Sequence, residues 1–244
     1  MTFSWKRIGA IVQKGLRDFF RNAQVLAMVF MPIVFAFVFS KIPVSPHEES
    51  ESTVIVLLAM PILMALTMTG AFVQAMIIAE EKEKHTLRTL MLTPATSAEV
   101  LFGKSFISTV LTFVTIVVCV IASGQSISAP LLFFTITVIN IILFVALGTV
   151  MGLLSKSLQE TSVIGLPVMF IFLMGPMFAP MIDINWLMTI VSYLPTHHFM
   201  EGVESLHQGG GLSDIGGNLL NMSIWVVVVI VLSLFVYRKR RFDG

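Results

Sequence analysis

The chain has 244 residues, of which 56% are hydrophobic and only 12% charged, and its net charge is +1. A soluble domain carries about twice that share of charged residues, so a water-covered globule is excluded and lipid is the solvent left for the apolar excess. The balanced charge excludes a chain-wide pull toward nucleic acid, and the single cysteine, Cys119, excludes an intrachain disulfide.

In residues 1–22, Trp5, Ile8, Val12, Leu16, Phe19 and Phe20 recur at helical spacing, with Lys6, Lys14, Arg17 and Arg21 on the other face. This pattern predicts an amphipathic helix lying on an anionic leaflet. Its charges fall at intervals throughout, unlike the short apolar core of a secretory signal.

A helix needs about 20 apolar residues to cross a bilayer. Residues 25–42, 54–79, 102–122, 130–154, 163–181 and 219–237 meet that need, the fifth being interrupted by Pro167, Gly175, Pro176 and Pro180. The fold class expected is an all-α membrane protein: one six-span domain over residues 1–244. Residues 43–53 between the first two spans are acidic (Glu48, Glu49, Glu51), and 123–129 form a Ser/Gly turn. Residues 182–218 contain an apolar stretch too polar to span, with Asn185, His197, His198, Glu201 and Glu204, and a Gly209–Gly211 linker. An interfacial or re-entrant hairpin broken at Pro195 is predicted there.

Six spans place every Lys and Arg except Lys41 on one side: those of the N-terminal helix, Lys82, Lys84, Arg88, Lys104, Lys156 and the Arg238–Arg241 cluster. Basic loops stay in the cytoplasm. Both termini are therefore expected to be cytoplasmic, in a multi-pass protein of the cell membrane.

On the same side, Glu80 to Lys84 extend the second span into water, with Glu80 and Lys84 spaced i,i+4. Leu87, Leu90 and Met91 then form an apolar face. Thr93-Pro94 ends that helix, and Thr96-Ser97-Ala98-Glu99 reads as a capping box for the next. An apolar face in a cytoplasmic loop implies a docking partner.

The stretch AEEKEKHTLRTLMLTPATSAEVLFGKS, Ala79 to Ser105, resembles the E-x-x-x-x-T-L-x-x-L-x-x-x-P region of ABC-2 type transporter permeases. The amphipathic start, six spans and long outer segment agree in order, so the resemblance extends over nearly the whole chain. His85-Thr86 departs from the Gly-Thr of many relatives. The resemblance implies a permease subunit of an ATP-binding cassette exporter, paired with a second permease copy or paralogue and with ATPase subunits that bind ATP and Mg. It also implies that residues 80–98 couple to the ATPase through Glu80, Glu81, Lys82, Thr86, Leu87, Leu90, Met91, Thr93 and Pro94.

The chain itself shows no cofactor site. Ala98 to Ser105 mimics a phosphate-binding loop, but it begins with Ala, carries Val-Leu-Phe inside, and has no strand before it. No catalytic set is apparent, and no metal site is expected from His197, His198 and Glu201, whose spacing is unfamiliar. Gly148-Thr149-Val150-Met151-Gly152 predicts a close helix approach, within or between chains.

The spans hold no Asp, Glu, Lys or Arg away from their ends. Met60, Met64, Thr67, Met68, Phe72, Phe170, Met174 and Phe178 instead offer an adaptable apolar path, suited to a drug, peptide or lipid-like substrate. The competing readings are an ion-gradient-driven carrier or channel, which needs charge at membrane depth, and a membrane enzyme built on His197, His198 and Glu201.

Overall fold

The computed structural model describes residues 21–41, 55–83, 97–182 and 184–240, with positions 9, 12, 13, 15, 17 and 19 of the N-terminal segment. The described residues are helical, with no strand among them. Among the described residues, five helices are long and apolar enough to cross a membrane: α2 (Leu57–Glu83), α3 (from Phe102 to Ser123 within Ser97–Ser123), α4 (Pro130–Leu154), α5 (Leu158–Ala179) and α8 (Leu212–Tyr237). α1 (Ala23–Phe39) is an apolar helix of 17 residues. The short helices α6 (Asn185–Ser192) and α7 (Pro195–His207) lie between α5 and α8.

α1 starts at Asn22, whose side chain accepts from the backbone N–H groups of Gln24 and Val25 at 3.1 and 3.2 Å, a standard cap for donors the first turn cannot satisfy. Before it, Gly9, Gln13, Arg17 and Arg21 form one exposed helical stripe, while Phe19 is buried and Val12 and Gly15 are half-buried.

α2 is the axis of the bundle. Its spanning window is 83% buried, against 28% for α5 and 22% for α8. It packs on α1, α3, α4 and α5, so its neighbours, rather than lipid, solvate it. That position explains Ala59, Ala65, Gly70, Ala71, Ala75 and Ala79: a central helix needs small residues wherever another backbone approaches. Gly148 and Gly152 of α4 supply the facing surface. A Cβ on Gly148 would fall on the Ala71 carbonyl, and one on Gly152 would meet the Ala75 carbonyl at 2.7 Å and Ile78 Cβ at 2.8 Å. The expected glycine contact is therefore made within the chain, between α4 and α2.

α2 and α5 are not uniform α-helices. α2 is entered through π geometry at Ile55–Ala59 and widens again at Ala65–Phe72, and α5 widens at Phe170–Met174. In α5 the wide turn falls between Pro167 and Pro176. Each proline lacks an N–H and crowds the carbonyl one turn back, and a wider turn accommodates both losses. In α2, Thr67 supports the wide turn by donating its hydroxyl to the Leu63 carbonyl at 2.8 Å.

At the end away from Lys82, Lys104 and Lys156, the chain turns tightly at Gly124 (φ 66°) between α3 and α4 and at Gly209 (φ 88°) between α7 and α8. Those are left-handed conformations that favour glycine. The predicted break falls at Tyr193–Leu194, with Pro195 opening α7, where its missing N–H costs nothing. The helix pair is pinned to α8 by Trp225, whose indole N–H donates to the Tyr193 carbonyl at 2.8 Å.

Candidate functional site

The last turn of α2 carries Glu80, Glu81, Lys82 and Glu83. Successive residues on a helix point about 100° apart, so three consecutive side chains on a central helix can reach three neighbours. Glu81 pairs with Lys104 of α3 at 2.6 Å, both side chains nearly buried. Lys82 donates to the carbonyls of Leu153 and Ser155, both at 2.6 Å, at the C-terminal end of α4. Glu83 accepts the backbone N–H of Leu158, the first residue of α5, at 2.9 Å. The signs match the helix ends: a cation at a carbonyl terminus and a carboxylate at an amide terminus.

The turn joining α4 to α5 is thus held from both sides. Its own contacts complete the caps. Ser157 accepts from the Glu160 N–H at 3.2 Å, and Glu160 accepts from the Lys156 N–H at 2.6 Å. Glu80 to Glu83 were expected to project into water. In the structure Glu81 and Lys82 turn toward α3 and α4, while Glu83 stays exposed as it accepts from the first residue of α5. The other expected coupling residues, Thr86, Leu87, Leu90, Met91, Thr93 and Pro94, lie outside the described residues, as do Lys84 and Thr96.

Two turns back along α2, Gln74 forms a polar node that the sequence reading passed over. Its amide N–H₂ donates to Ser105 of α3 and Thr149 of α4, both at 3.0 Å, and its carbonyl accepts from Ser108 of α3 at 2.6 Å. Gln74, Ser108 and Thr149 are all buried. A buried amide is costly unless paired, and here each functional end has a partner. The signal in the sequence was a lone amide in an apolar run, with hydroxyls at comparable depth on two other spans.

The expected substrate-path residues fall into two settings. Met60, Thr67 and Phe72 are buried in the bundle, while Met64 and Met68 are half-buried one turn apart. Thr67 and Phe72 border a cavity of about 10 Å³, room for one water at most. Phe170 and Phe178 face outward, with Met174 half-buried. Phe170 and Met174 belong to an open apolar groove of about 470 Å³ along the π turn of α5, shared with Leu166, Pro167, Met169, Ile171 and Leu173.

At the other end, Glu201 lies 3.1 Å from His197 Nε2 and 3.5 Å from His198 Nδ1. His198 Nδ1 is also 2.8 Å from Asn218 Oδ1 of α8. This cluster ties α7 to α8. Among the described residues, no three His, Cys, Asp or Glu side chains are placed to hold a metal ion. The phosphate-loop look-alike lies on α3, which starts at Ser97.

Apolar helices long enough to cross a membrane, exposing large hydrophobic side chains around a buried central helix, define a multi-pass α-helical membrane protein. Residues 36–235 match the family described as ABC-2 family transporter protein. The chain belongs to that family, which makes it a membrane transport subunit and implies an ABC ATPase as its partner. No curated protein matches the chain significantly.

Proposed function

We propose that the chain is the permease subunit of an ATP-driven exporter that moves a hydrophobic or amphipathic substrate, such as a drug, peptide or lipid-like compound, out of the cytoplasm or inner leaflet. Family membership over residues 36–235 carries this reading. In it, α1 is the first of six spans, both termini are cytoplasmic in the cell membrane, and residues 1–22 form an interfacial helix. Residues 80–98 receive the motion of a separate ATPase that binds ATP and Mg.

The exposed face of α5 supports pairing with a second permease copy or paralogue. Its groove of about 470 Å³ has the volume of a small-molecule site but only one wall, whereas such sites enclose most of their ligand. A second copy would supply the other wall. Met64, Met68, Phe170 and Met174 are then the path residues best placed to meet cargo.

The decisive experiment co-purifies the chain with its ABC ATPase. Replacing Leu87 and Leu90 together by Asp is expected to abolish co-purification while leaving the permease folded in detergent. Unchanged binding of the double variant refutes docking through residues 80–98.

A further inference from the structure

We propose that Lys82 and Glu83 form the mechanical joint that passes displacement of the coupling segment to α5. This rests on the reading above and adds to it a pair of positioning residues and the helix they move.

Three observations meet at this point. First, Lys82 and Glu83 are adjacent, yet they hold opposite sides of one turn: Lys82 the Leu153 and Ser155 carbonyls that end α4, Glu83 the Leu158 N–H that begins α5. A shift of the α2 end therefore pulls on the turn as a whole. Second, the two grips have unequal loads. α4 lies against α2 through Gly148 and Gly152 and runs along α8, so it resists displacement. α5 is only 28% buried in its spanning window, so the same pull is expected to move α5 most. Third, α5 contains the π turn Phe170–Met174 below Pro176. A helix with a local departure from i→i−4 bonding bends there at lower cost than a regular one. Motion introduced at Leu158 would thus reach the apolar groove beside that turn.

The chemistry favours a joint over a plain salt bridge. Both contacts end on backbone groups that have no partner within their own helix. Each contact therefore holds a helix end directly, the Lys82 pair part-buried and the Glu83 contact exposed. Glu81–Lys104 supplies the fixed side, tying the same turn of α2 to α3.

The test uses the permease assembled with its ABC ATPase in nanodiscs, in a Cys119→Ser background. Spin labels at Gln159, in the exposed first turn of α5, and at Lys239, at the end of α8, report the position of α5. A second pair, Ala95 with Lys239, reports the coupling segment. ADP with vanadate is the probe. Both distances are expected to change in the native complex. Glu83→Ala and Lys82→Met are expected to abolish the Gln159 change and keep the Ala95 change, and Glu83→Gln, which retains an acceptor oxygen, is expected to restore it. A plain structural role would lower the melting temperature and leave the nucleotide-dependent change in place. The joint is refuted if the Ala95 pair responds while the native Gln159 pair stays still, if Glu83→Ala responds as fully as native, or if Glu83→Gln fails to restore the change. An unresponsive Ala95 pair in the native complex instead refutes coupling through residues 80–98.

Discussion

Gln74 shows how a single side chain can organise three helices where lipid offers no hydrogen bonds. Its amide meets hydroxyls from α3 and α4 at 2.6–3.0 Å, and Gln74, Ser108 and Thr149 are all buried. Interhelical hydrogen bonds in membranes are individually modest, because the unfolded reference state also finds partners. The penalty for orphaning a buried partner is larger. Gln74→Ala is therefore expected to destabilise the permease by about 1–3 kcal/mol, measured as a lowered midpoint of denaturant unfolding in detergent. A cycle with Ser108→Ala should yield a coupling energy of roughly 0.6–1.7 kcal/mol. Strict additivity of the two losses would mean that the 2.6 Å contact contributes nothing.

At the scale of elements, the α2–α4 contact governs the fold. Ala71 and Ala75 face Gly148 and Gly152 so closely that the neighbouring backbone occupies the space of a Cβ. Gly148→Ala forces the two helices apart and is expected to cost about 1–3 kcal/mol. Gly217→Ala in α8, where a Cβ meets nothing within 4 Å, is expected to be neutral or stabilising by up to about 1 kcal/mol. Thermal unfolding of the pair in one detergent separates them, and equal melting temperatures would contradict the close approach. Helix existence was legible from the sequence because it depends on apolar run length, and α4 begins and ends where its composition changes, at Pro130 and Leu154. The π turns were not legible, because a wide turn uses the same residues as a regular one. The grip of Lys82 and Glu83 was also hidden. A charged run at a span end reads as a solvated tip until the helices beside it are known. The break at Pro195 could be read because proline acts locally.

At the scale of the whole molecule, among the described residues, the Glu81–Lys104 pair and the Lys82 and Glu83 contacts lie at one end, and the glycine turns and short helices at the other. In the proposed reading a motor would act on the end tied by Glu81, Lys82 and Glu83, while at the opposite end α7 packs through buried Phe199, Val203 and Leu206 and Trp225 bonds to Tyr193. In the topology proposed above, the basic residues would place the Lys82–Glu83 end in the cytoplasm. Single cysteines in a Cys119→Ser background test that assignment directly in intact cells. Cysteine at Gln159 or Lys239 is expected to resist a membrane-impermeant maleimide until the cells are opened. Cysteine at Gln125, in the turn between α3 and α4, or at Gln208, after α7, is expected to react at once. α1 decides the remaining parity: if its 17 residues cross the bilayer, cysteine at Lys41 reacts from outside and cysteine at Arg17 does not. Labelling of Lys41 and Arg17 from the same side would make α1 an interfacial helix and reduce the bundle to five spans, with the N-terminal segment on the outside. Outside labelling of Gln159 would be more damaging, because it would put the Lys82–Glu83 grip on the face that no ATPase can reach.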